Sequence, residues 1–226
     1  MKKVAIIYGP PGAGKGTQAN LLASALGFIH FDTGKYLEQL VNDPALQNDP
    51  IIQREKANFN AGVLCTPEWV LEIVRKKVNH LSNAGFSLAF SGSPRTMFEA
   101  FGDEKNESLL SVFEKEFGKE NIFVFLLQVK SETSILRNSR RLICSVCGTV
   151  LLTNSYSGQT CPLCDASLRR RSLDVPEVIR VRLKEYAERT EPIIQNMRER
   201  GYSIHEIDGE PAPFQVFEEI KKVISG

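Results

Sequence analysis

The chain has 226 residues, 42% of them hydrophobic, enough to bury a full core within one domain that carries insertions. Lys and Arg number 28 against 27 Asp and Glu, and a net charge of +1 points to neither a nucleic-acid nor a membrane surface. No segment approaches the ~20 apolar residues of a membrane helix. The short apolar run behind Lys2 and Lys3 leads into glycines rather than a cleavage site, so a soluble, cytoplasmic protein is expected.

Val4 to Tyr8 is a branched apolar run ending at glycine, as suits a strand buried in a parallel sheet. Beyond GPPGAGKGT, the segment QANLLASALG has apolar residues at helical spacing and stops at Gly27. Thr33 is the predicted cap of a helix over KYLEQLVN that ends before Pro44, and a polar helical stretch then runs to about Gly62. Thr66-Pro67-Glu68 opens another helix, with Thr as cap and Pro at the first helical position. SLAFSG (Ser87 to Gly92) and NIFVFLLQV (Asn121 to Val129) are predicted strands, the second followed by a helix over SETSILRNSRR. After a cysteine-bearing block, a charged helix begins at Pro176 and ends at Gly201; SIHEI is a last strand and PFQVFEEIKKVI a closing helix. Strands alternating with helices predict an α/β fold whose parallel sheet is covered on both faces.

The loop Gly9-Pro-Pro-Gly12-Ala13-Gly14-Lys15-Gly16-Thr17 lies between a predicted strand and a predicted helix, the context that makes such a loop a phosphate cradle. Its glycines allow a concave nest of backbone amides, and the following helix adds its positive N-terminal end. Lys15 can reach the β- and γ-phosphates of a bound nucleotide. The generic loop puts Ser or Thr directly after the lysine, but here Gly16 intervenes and Thr17 comes one residue later.

That departure, within GPPGAGKGTQA, resembles the adenylate kinase family, and the resemblance continues in order along nearly the whole chain. Asp32-Thr33-Gly34-Lys35-Tyr36-Leu37-Glu38 corresponds to the family's TGD block and the helix behind it. Thr33 and Gly34 match positions at the acceptor nucleotide, Lys35 replaces an Asp, and Glu38 replaces an arginine that holds the acceptor phosphate. Lys35 either supplies the lost charge or pairs with Glu38. Gly62 to Glu68 resembles GxLVxDE, whose backbone, Leu64 included, would face the acceptor base and ribose. Ser91 to Ala100 resembles DGFPRTxxQA. Arg95 is retained there, and its fork suits a phosphate bridging donor and acceptor. Ser91 replaces the Asp that orders magnesium's water shell, and Glu99 the Gln that reads the acceptor base. Arg137 and Arg141 match RxxGRRxC, and Arg171, Asp174, Arg182 and Tyr186 match RxDDxxExxxxRLxxY, with Leu173 in place of an Asp. Ile207-Asp208-Gly209 resembles the strand end near the donor adenine.

The resemblance implies a monomeric nucleoside monophosphate kinase using ATP with Mg²⁺. AMP is the expected acceptor because Thr33 matches the adenine-associated residue, with CMP, GMP and UMP as alternatives. Gly12, Ala13, Gly14, Lys15, Gly16 and Thr17 would cradle the phosphates, and Arg137 would lie along the donor. Lys15, Arg95, Arg141, Arg171 and Arg182 would surround the transferred group. Thr33, Gly34, Glu38, Leu64, Arg95 and Glu99 would form the acceptor site. The expected core is residues 1–32, 67–140 and 172–226, a P-loop-type parallel sheet flanked by helices. A helical acceptor flap over 33–66 and a zinc-ribbon lid over 141–171 would close on it.

Cys144-Ser-Val-Cys147-Gly148 and Cys161-Pro-Leu-Cys164 form two CxxC knuckles, offering four thiolates to a tetrahedral Zn²⁺. A redox dithiol usually occurs once, beside a βαβ unit, so a closed structural zinc site is the stronger reading. Cys65 stands alone and reads as a small apolar residue. A different class of function, a non-catalytic nucleotide- or nucleic-acid-binding protein using the P-loop and Arg169 to Arg171, is kept open by Ser91 and Glu38. The neutral overall charge counts against it.

Overall fold

The structure is a computed structural model that describes residues 1–152 and 156–226; residues 153–155, inside the expected 141–171 lid, lie outside the described residues. In chain order, β1 (Val4–Tyr8), α1 (Lys15–Leu26), β2 (Ile29–Phe31), α2 (Thr33–Val41), α3 (Pro50–Ala61) and α4 (Pro67–Asn83) come first. They are followed by β3 (Leu88–Phe90), α5 (Met97–Phe101), α6 (Leu109–Phe117), β4 (Ile122–Gln128) and α7 (Ser131–Ser139). The short strands β5 (Arg141–Cys144), β6 (Val150–Leu152) and β7 (Leu168–Arg169) precede α8 (Pro176–Glu185), α9 (Glu191–Glu199), β8 (Ile204–Asp208) and α10 (Pro213–Ser225). A π-helical turn, Tyr186–Thr190, joins α8 to α9.

The main sheet has the order β2-β3-β1-β4-β8, with every pairing parallel. All of β1 is buried, and its alternation divides the core. Val4, Ile6 and Tyr8 pack on one face with Val74 of α4, Phe113 of α6 and Ile193 of α9. Ala5 and Ile7 pack on the other with Leu22 of α1 and Ile220 of α10. A separate antiparallel sheet, β6-β5-β7, carries the cysteine block.

The expected strands and long helices form, but two caps differ from expectation. Asp32, not Thr33, caps α2: its carboxylate accepts the Lys35 N–H, and Thr33 becomes the first helical residue. Thr66 does precede α4, yet its hydroxyl makes no cap bond and instead donates to Glu55 at 2.5 Å. Glu55, on α3, is fully buried and also accepts from the Thr66 N–H and from Arg54. The Cys65 sulfur sits 3.8 Å from the Glu55 carbonyl oxygen, and burial followed by the neighbouring Glu55 charge pushes its thiol up to about 12, so it stays an inert core residue.

Burial alone would raise Glu55, but the Thr66 hydroxyl and amide, with Arg54, outweigh it and hold the carboxyl below the ordinary glutamate range. A depressed native pKa contributes stability above the unfolded value that is lost as pH falls through the native one. Glu55→Gln is therefore expected to cost roughly 1–3 kcal/mol at neutral pH. In melting curves recorded across pH, its gap to the parent should narrow below about pH 4.

Candidate functional site

A cavity of about 900 Å³ lies at the carboxyl ends of β1, β2 and β3. From β1 the chain crosses to β2 beyond β3, while β4 lies on its other side, so the cavity occupies the topological switch point where open parallel sheets bind ligands. Residues Gly12 to Thr17 wrap its floor. Gly12 takes φ +85°, and a Cβ there would come within 2.6 Å of the Asn138 side chain and 2.7 Å of the Ser134 carbonyl. The loop thus packs against α7 only with glycine at that position. The Lys15 ammonium donates to the Gly9 and Pro10 carbonyls at 2.7 and 2.8 Å.

Arg95, Arg141, Arg171, Arg182 and Arg137 line the same cavity, brought from the β3–α5 loop, β5, the end of the small sheet, α8 and α7. Asp174 anchors two of them: its carboxylate accepts from Arg141 Nε at 2.7 Å and lies 3.5 Å from Arg182. Arg137 donates to the carbonyls of Gly209 and Glu210, joining α7 to the loop after β8. Burial, then the charges of Arg95, Arg182 and Arg141, hold Lys15 well below the ordinary lysine range. Burial and the neighbouring arginines likewise bring Arg182 down to about 9 and lower Arg171. Such a cluster of desolvated cations is arranged to receive a polyanion.

Thr33, Gly34, Glu38, Leu64 and Glu99 also line the cavity. The Thr33 hydroxyl is buried without a hydrogen-bond partner among the described residues. Glu99 is buried too, and its carboxylate accepts from the Arg95 N–H at 3.0 Å and the Thr96 hydroxyl at 3.1 Å. Burial raises its pKa against the pull of those donors. Elements from opposite walls meet over the cavity. A Cβ on Gly34 would lie 3.4 Å from the Arg171 guanidinium, and one on Gly148 would lie 3.2 Å from Lys35 Nζ.

The four cysteines of the small sheet gather at one point, their sulfurs all within 4.8 Å of one another. Cys144 and Cys164 sulfurs are 3.4 Å apart, and those of Cys147 and Cys161 3.6 Å. Tetrahedral bonds of about 2.3 Å to zinc require sulfur separations of ~3.8 Å, close to this arrangement. Amides of Val146 and Cys147 point at Cys144 Sγ, as expected of a knuckle turned toward a thiolate.

A family profile for adenylate kinase matches residues 7–202. The adenylate kinase of Chlamydia pneumoniae is 32% identical over 98% of this chain and 97% of its own length. That of Chlamydia caviae is 34% identical over 95% and 94%, and that of Anaeromyxobacter dehalogenans 32% identical over 98% and 99%. The chain belongs to the adenylate kinase family.

Within the adenylate kinase pattern, the atypical residues occupy distinct surroundings. Lys35 is exposed, reaches toward the first cysteine knuckle and forms no ion pair with Glu38 among the described residues. Glu38 lines the cavity, and its charge, after that of Asp32, favours the charged form of Arg171. Ser91 is buried and hydrogen-bonded to His30, which bonds in turn to Asn20. Sequence reasoning missed His30 and Tyr8, a buried phenol on β1 whose hydroxyl has no partner among the described residues. A tyrosine closing an otherwise aliphatic strand was the available signal. No helix of the described residues is long and apolar enough to cross a membrane.

Proposed function

We propose that this chain is a nucleoside monophosphate kinase that moves the γ-phosphoryl group of Mg²⁺·ATP to AMP, yielding two ADP. The observation that carries this reading is one cavity lined by the P-loop lysine and by Arg95, Arg137, Arg141, Arg171 and Arg182, together with Thr33 and Glu99. A phosphate oxygen of the acceptor forms the new P–O bond as the bond from the γ-phosphorus to the β–γ bridging oxygen breaks. The acceptor is already an anion, so no strong general base is required; alignment, charge stabilisation and exclusion of water supply the catalysis.

In this reading Lys15 follows the transferred group, while Arg95, Arg141, Arg171 and Arg182 stabilise charge on its equatorial oxygens. Asp174 is a positioning residue that holds Arg141 and Arg182 in place. Arg137, fixed against the Gly209 and Glu210 carbonyls, borders the donor nucleotide. The buried Thr33 hydroxyl gains a partner in the acceptor base. Residues 33–66 and 141–171 act as two closing flaps, and the crossing of Gly34 and Arg171 marks where they meet. Glu38 contributes negative charge beside the acceptor phosphate, so affinity for the monophosphate is weaker than an arginine would give. Lys15→Ala and Arg95→Ala should each lower ATP-to-AMP transfer at least ~100-fold with little change in melting temperature. Near-normal turnover of either variant would place the chemistry elsewhere.

Zinc in the Cys144, Cys147, Cys161 and Cys164 site is structural in this reading, since four thiolates fill its coordination. A small insert with little apolar content depends on such a metal for its fold. Metal analysis should find about one zinc per chain, and chelation should lower the melting temperature while leaving the main sheet folded. Unchanged metal content and melting in Cys144→Ser would refute this assignment.

A further inference from the structure

Strands β2 and β3 pair in parallel with Phe31 beside Phe90, so the next residues, Asp32 and Ser91, emerge side by side at the phosphate end of the sheet. Five carboxylates line the cavity among the described residues: Asp32, Glu38, Asp43, Glu99 and Glu185. Most are engaged or remote from the P-loop. Glu99 accepts from its own loop, Glu185 lies against Arg189 and the Leu64 amide, and Asp43 caps a short turn. The charge of Glu38 favours the charged form of Arg171. Asp32 alone among them has a charge that bears on Lys15, which it favours in its ammonium form. One of its oxygens caps α2, and the other makes no hydrogen bond among the described residues.

The neighbouring hydroxyl is oriented by a relay. Asn20 Oδ1 can only accept, so the His30 Nδ1 at 2.6 Å carries the proton. Burial keeps that imidazole below the ordinary histidine range, against the nearby Asp32 and with the help of Lys35. Its Nε2 then accepts, and the Ser91 hydroxyl, 2.7 Å away, donates to it. The lone pairs of Ser91 Oγ are left as acceptors next to Asp32. Mg²⁺ on a nucleotide keeps several waters and is held through one or two carboxylates together with the phosphates. One carboxylate with a free oxygen, beside an accepting hydroxyl, suits that water shell.

We propose that Asp32, one strand over from Ser91, is the residue through which this chain holds the water shell of the nucleotide's magnesium, with Ser91 oriented by His30 as its second acceptor. The inference rests on the kinase reading, but its test reads metal rather than turnover, so the two can fail separately. Mn²⁺ serves as the probe: free Mn²⁺ is titrated by electron paramagnetic resonance in the presence of the full chain and a non-hydrolysable ATP analogue. Asp32→Asn keeps the helix cap, because Asn caps as well as Asp, and its melting temperature is expected to match the parent. Mn²⁺ retained by the ternary complex should weaken ~10–100-fold. Analogue affinity in EDTA should be unchanged or tighter, since a negative charge near the phosphates has gone. Ser91→Ala, which leaves the cap intact, should weaken Mn²⁺ in the same direction, and Asp32→Asn with Ser91→Asp should restore it. Unaltered Mn²⁺ affinity in Asp32→Asn overturns the proposal. So does an equal loss of analogue affinity with and without metal.

Discussion

Asp174 stands between Arg141 and Arg182, and the organisation of the cavity follows from that ion cluster. Arg141 comes from the small sheet and Arg182 from α8, so one carboxylate ties the small sheet to that helix, and both arginines line the cavity. The pairing neutralises only part of the charge. Lys15, Arg95 and Arg171 share the same desolvated space, and the lowered pKa values of Lys15, Arg171 and Arg182 record the repulsion and burial they bear. A nucleotide's phosphates would relieve that repulsion.

The sheet makes such a concentration of charge possible. β1 and its neighbours are apolar on both faces and covered by helices, so the polar groups are confined to the strand ends. There the loop Gly12 to Thr17 lines the cavity where α1 begins, and a helix start favours anions without needing side chains. The parallel register also sets Asp32 beside Ser91, so charge can move between neighbouring strands without moving in space.

Much of this was legible in the sequence where the physical signal is local. The branched apolar runs of β1 and β4 end at glycine or polar residues, and the P-loop glycines sit between strand and helix; each reads directly. Strand β2 did not, because its three residues are half-buried and follow a helix stop by two positions. The strands of the small sheet are two to four residues long and draw their order from the cysteine cluster rather than from alternation. Asp32 and Thr33 are both cap-competent and adjacent, and only backbone geometry decides between them. Glu55 looks like part of a solvated helical face, yet it is the buried tie between α3 and the start of α4. The arginines were found through their match to the family's motifs, but Asp174 as the shared partner of Arg141 and Arg182 became visible only in three dimensions.

Charge alone would bind any polyphosphate, so the account turns on whether a second nucleotide receives the phosphoryl group. The most direct measurement is ADP formation from Mg²⁺·ATP by the purified chain, with AMP, CMP, GMP and UMP offered in turn and water as the control acceptor. Acceptor-dependent ADP formation, fastest with AMP and far above the rate with water, is the expected result. ATP hydrolysis that no monophosphate accelerates would contradict it.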